Sequence, residues 1–124
     1  MGVDILLDIQ HFGNADLVRE SIRKISDRTR IPINIEICNG YQLLDKLQTN
    51  PNYDFVILHV GQEDAGAYRQ ADRCRRLSNA IMVAESSLFP CGREEVLRHF
   101  DEYIGSLTIT EPFEAMLKKY GYIS

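Results

Sequence analysis

Bracketed by Pro51-Asn52 and Gly61, the run Asp54-Phe55-Val56-Ile57-Leu58-His59-Val60 holds four consecutive apolar residues and then meets a histidine. Strand side chains alternate between two faces, so an unbroken apolar run needs cover on both, which a parallel sheet clothed by helices supplies. Such a strand is central. Its carboxyl end opens onto the crevice where open α/β sheets bind ligands, and His59 stands at that end.

Strand-like and helix-like periods alternate around this run. Val3-Asp4-Ile5-Leu6-Leu7-Asp8 reads as a first strand, and Asn14 caps a helix with Leu17, Val18, Ile22 and Ile25 inward. Ile31, Ile33, Ile35 and Ile37 alternate with Pro32, Asn34 and Glu36, the pattern of an edge strand with one wet face. Asn39-Gly40 marks a turn, and Tyr41, Leu44 and Leu47 recur at helical spacing until Thr49-Asn50-Pro51 stops the helix. Beyond the central strand, Gly61 to Gly66 reads as an acidic loop and Ala67 to Leu77 as a helix with Ala67, Ala71, Cys74 and Leu77 inward. Arg69, Arg73, Arg75 and Arg76 are left outside it, as a solvated face or as a patch for an acidic partner. Ala80-Ile81-Met82-Val83-Ala84 is a second buried strand, and a short helix carries Val96, Leu97 and Phe100. Tyr103-Ile104 is a short last strand; Thr110-Glu111-Pro112 then starts a helix, with Thr110 as cap and Phe113, Met116, Leu117 and Tyr120 as its apolar stripe, that Gly121 ends.

Five βα units imply an α/β, doubly wound, five-stranded parallel sheet with helices on both faces, and placing the half-wet second strand at an edge gives the order 2-1-3-4-5. In that order Asp8 and His59 are expected to face one another across the crevice. Residues 1–124 are expected to form one domain.

Charge and cysteine content narrow the function. A formal net charge of -4 argues against nucleic-acid binding, which needs clustered Lys and Arg. No apolar run is long enough to span a membrane and the first residues lack signal-peptide character, so no membrane association and a cytoplasmic location are expected. Cys38, Cys74 and Cys91 form neither a disulfide framework nor a zinc signature, and inert thiols are expected.

The stretch Asn39-Gly40-Tyr41-Gln42-Leu43-Leu44-Asp45-Lys46-Leu47, followed by Tyr53-Asp54-Phe55-Val56-Ile57-Leu58, resembles the turn, second helix and third strand of response-regulator receiver domains. The likeness extends over nearly the whole chain. The resemblance implies a phosphoacceptor crevice of an acid pair, an acceptor aspartate, a hydroxyl and a lysine, which together handle magnesium and phosphoryl charge. On this chain those positions hold Asp8 and Ile9, His59, Ala84 followed by Glu85, and Ser106-Leu107; a shifted register using Glu111-Pro112-Phe113 supplies no lysine either. A degenerate pseudo-receiver is therefore expected: a domain that is no enzyme, holds no cofactor or metal and acts through a protein partner or a homodimer. Tyr103 matches the family's switch aromatic, and Phe113, Lys118 and Tyr120 match the face of fourth helix, fifth strand and fifth helix that receivers use for dimers. Ordinary core packing is the competing reading for Tyr103, Phe113, Met116 and Tyr120.

Other chemistry was open to the same residues. Asp8, His59, Asp64 and Glu85 suit a small-ligand or transition-metal site, or a proton switch in which a carboxylate beside His59 biases the crevice; the plainer expectation is a histidine satisfied by Asp8 or Glu85. Gln10-His11-Phe12-Gly13-Asn14 lacks the glycine and hydroxyl content of a phosphate-binding loop, and His11 and His99 read as isolated surface histidines.

Overall fold

The computed structural model describes residues 2–8, 15–61, 64–86, 93–105 and 110–124. Five strands, β1 (Val3–Asp8), β2 (Ile33–Cys38), β3 (Phe55–His59), β4 (Ile81–Glu85) and β5 (Glu102–Ile104), alternate with α1 (Ala15–Thr29), α2 (Leu43–Thr49), α3 (Ala65–Leu77), α4 (Arg93–His99) and α5 (Thr110–Lys119). All pairings are parallel, in the order β2-β1-β3-β4-β5. This is the doubly wound, flavodoxin-like arrangement the alternation predicts.

Strand alternation sorts the apolar residues into two cores. Ile5 and Leu7 of β1, Phe55 and Ile57 of β3 and Val83 of β4 pack with Val18, Ile22 and Ile25 of α1 and with Phe113, Met116 and Leu117 of α5. Leu6, Val56, Leu58, Met82 and Ala84, the intervening residues, pack with Leu43 and Leu47 of α2, Tyr68, Ala71 and Cys74 of α3, and Val96 of α4. Each large side chain buried this way contributes roughly 1.5–3 kcal/mol, which makes the central strand the main source of cohesion. β2 lies at the edge with its isoleucines only half-buried, as its period-two pattern requires.

Several boundaries and faces differ from the sequence expectation. Leu17 is 55% exposed, because the inward stripe of α1 runs through Val18, Ile22 and Ile25. Tyr41 is 87% exposed: Oδ1 of Asn39 accepts from the amides of Tyr41 and Gln42 at 3.1 Å, and this Asx turn holds Tyr41 ahead of α2, whose inward residues are Leu43 and Leu47. α3 starts two residues earlier than expected, since Asp64 caps it, and on it Tyr68 is buried while Ala67 and Leu77 are only partly so. Leu97 of α4 is exposed. Thr110 is the first residue of α5.

Both α1 and α5 end on left-handed backbone. Gly121 has φ 83°, with its amide donating to the Lys118 carbonyl and the Tyr122 amide to the Leu117 carbonyl, a Schellman closure that only glycine enters without a steric cost. Arg30, at φ 61°, follows the last residue of α1 and has a Cβ in the same region.

Candidate functional site

The carboxyl ends of β1, β3 and β4 bring Asp8, His59 and Glu85 together at one end of the sheet. Asp8 is in register with Leu58 of β3 and Cys38 of β2, and His59 is in register with Glu85 of β4. The Val60 amide donates to the Glu85 carbonyl at 2.8 Å, which carries the ladder one residue beyond β3 and fixes the histidine beside its partner.

Alternation decides where the side chains go. Asp8 continues the face of Leu6, whereas His59 and Glu85 continue that of Ile57 and Val83. His59 and Asp8 nevertheless line the same cleft, of about 250 Å³. The histidine meets Glu85, with Nδ1 2.9 Å from Oε1. Glu85 is completely buried, and a polar group out of water needs hydrogen-bond partners, one of which is Nδ1 of His59. Glu85 is thus one of the two partners expected for His59.

Asp64 serves the backbone. Its Oδ1 accepts from the Ala67 amide and its Oδ2 from the Gly61 amide, each at 3.0 Å, which caps α3 and closes the preceding loop. Among the described residues no group of three or more His, Cys, Asp or Glu side chains is arranged to hold a metal ion. Among the described residues, the titratable side chains lining the cleft are those of Asp8, His59 and Asp64. Ile9 and Ser106 lie outside the described residues.

Ala84 is wholly buried and brings no hydroxyl to the position after β4's core residues. A hydroxyl does lie two residues on: Ser86 is 4% exposed and its side chain hydrogen-bonds that of Tyr103. Burial pushes the Tyr103 phenol up, the Arg93 guanidinium opposes that, and the negative charge of Glu85 adds to it. Arg93 lies 5.6 Å from the Tyr103 ring centroid. Tyr103 is half-buried against the core shared with α4.

On α5, Phe113 and Met116 are core residues, 1% and 3% exposed, so Phe113 cannot itself present a contact surface. Lys118 is exposed. Tyr120 is 36% exposed; its hydroxyl and the Lys119 ammonium both donate to Oε2 of Glu102, and its ring meets Phe55 edge-on at 5.9 Å.

One feature escaped the sequence reading. His99 is no isolated histidine: it stacks on Tyr68 at 4.6 Å, with Nδ1 3.1 Å from Asp72 and Nε2 3.6 Å from Glu95. Its sequence neighbourhood gives no hint of a partner on α3. Cys38 and Cys74, both buried, have thiols pushed up to about 12 by desolvation, and the Asp8 charge reinforces it. Cys91 and His11 fall outside the described residues.

No family model and no curated protein matches this chain in sequence. Solved structures match it in shape. A two-component response regulator from Clostridium difficile superposes with a TM-score of 0.65 at 13% identity, covering 98% of this chain and 94% of that one. A chain in which a yeast Spc42 trimeric coiled coil is fused to another structure gives 0.67 at 13% identity, over 97% and 76% of the two chains. The lactose-specific IIB domain of the Streptococcus pneumoniae phosphotransferase system gives 0.56 at 16% identity, over 97% and 99%. At these identities the likeness is one of fold, and the fold is receiver-like. Among the described residues no helix is long and apolar enough to cross a membrane.

Proposed function

We propose that this chain is a pseudo-receiver: a cytoplasmic, non-catalytic signalling domain that works by protein contact without phosphorylation of an aspartate. The observation that carries the reading is the contact between His59 and the buried Glu85, because imidazole stands where the resemblance to receivers puts the acceptor aspartate and one of its nitrogens is already engaged. An imidazole nitrogen cannot give the acyl phosphate on which receiver chemistry depends. Ala84 supports the same reading, and so does a cleft whose described charged groups include no lysine or arginine.

Contact through the α4-β5-α5 face, with a partner or a second copy, is the mode favoured by the exposed Leu97, Lys118 and Tyr120 and by the half-buried Tyr103. The domain would then be a regulatory part of a signalling protein, such as a transcriptional regulator. Incubation with acetyl phosphate and magnesium, followed by intact-mass measurement, tests the chemistry; no mass gain is expected, and a stoichiometric phosphoryl group on an aspartate overturns the reading. Sedimentation of the wild type beside Leu97→Glu and Tyr120→Glu tests the surface.

A further inference from the structure

The outermost line of α3 carries three guanidinium groups that no described residue neutralises. α3 buries Tyr68, Ala71 and Cys74, and at helical spacing the direction opposite that trio passes through Arg69, Arg73 and Arg76. All three are exposed. Four other surface arginines have acids, Arg23 with Glu20, Arg28 with Glu114, Arg75 with Asp101 and Arg98 with Glu95; Arg19, Arg30 and Arg93 also lack one among the described residues, and what sets Arg69, Arg73 and Arg76 apart is that they share one helix face. No described residue makes an ion pair or side-chain hydrogen bond with Arg69, Arg73 or Arg76.

The acid that would neutralise the line is present but turned away. Asp72 lies within helical reach of Arg69 and Arg76, yet its two oxygens stand 3.1 and 3.2 Å from Nδ1 of His99 on α4. Like charges at this spacing weaken a helix unless an anion intervenes. Beside the stripe, Gln70 Nε2 donates to the Gly40 carbonyl at 3.0 Å and so anchors the turn that displays Tyr41. Arginine and tyrosine are the side chains most often found anchoring protein interfaces.

We propose that Arg69, Arg73 and Arg76, flanked by Tyr41, form a docking face for an acidic helical segment of a partner protein, its carboxylates spaced four and three residues apart. A nucleic acid fits less well. The chain's net charge is -4, and one narrow stripe is far from the broad basic field that phosphate backbones need. The face is separate from α4-β5-α5, so the two proposals stand or fall independently.

The test is an NMR amide titration of the whole chain with a synthetic helical peptide bearing glutamates at that spacing. Shifts are expected along α3 and at Tyr41, fading as salt is raised. R69E/R73E/R76E is expected to weaken binding about tenfold or more, as loss of three exposed ion pairs predicts, while its melting curve stays that of the wild type. R69Q/R73Q/R76Q serves if the reversal fails to fold. Shifts absent from α3, shifts at Lys118 and Lys119 instead, equal affinity in the variants, or tighter binding of a single-stranded oligonucleotide of matching charge would each overturn the proposal.

Discussion

Nδ1 of His59 stands 2.9 Å from Oε1 of Glu85, and the two residues are register partners in adjacent strands. Removing the ring leaves a buried carboxylate without this partner. His59→Ala should therefore cost about 1–3 kcal/mol, and His59→Asp more, because it sets two carboxylates side by side. Pairing His59→Ala with Glu85→Gln should recover part of the loss. Urea unfolding of the four proteins measures this, and equal stability of wild type and His59→Ala would refute it.

Alkaline pH should loosen the fold through three tyrosines. Tyr53, Tyr120 and Tyr122 are pushed up to about 12, chiefly by burial and then by hydrogen bonds to Glu36, Glu102 and Asp54. A phenol whose pKa is raised in the folded state lends stability that is whole below the unfolded value near 10 and is lost as the pH climbs toward 12. Absorbance titration at tyrosinate wavelengths should show these rings ionising late, together with unfolding.

Cys38 and Cys74 should resist alkylation in the native protein near pH 8, because a buried thiol pushed up to about 12 presents almost no thiolate. Peptide mapping after a short iodoacetamide pulse reads this directly. Prompt labelling of either site in the folded state would contradict it.

Arg30→Gly should stabilise the protein by about 1 kcal/mol, since glycine occupies left-handed backbone without the Cβ clash. Gly121→Ala should do the reverse by a similar amount. Thermal melts of both variants check the pair.

The sheet order was legible because hydrophobic period alone separates a doubly covered strand such as Phe55–His59 from a half-wet one such as Ile33–Cys38. Faces that depend on a neighbouring turn were less so. Tyr41 matched a helical stripe by spacing, and the Asn39 side chain, accepting from the amides of Tyr41 and Gln42, put it outside α2. The presence of Asp8, His59 and Glu85 at one end of the sheet followed from the strand order, but their pairing did not. Register sets His59 beside Glu85 on the neighbouring strand, and that alignment depends on the whole sheet. His99 illustrates the opposite limit, since Tyr68 and Asp72 reach it only after α3 and α4 have packed.

Asp54 holds two distant parts of the chain with one side chain: Oδ2 accepts from the Asp4 amide and Oδ1 from the Tyr122 hydroxyl, each at 2.8 Å. Replacing that carboxylate with a methyl group would untie the opening strand and the closing residues simultaneously. A lesion at the foot of the middle strand would then look, to a protease or to hydrogen exchange, like trimming both extremities of the polypeptide.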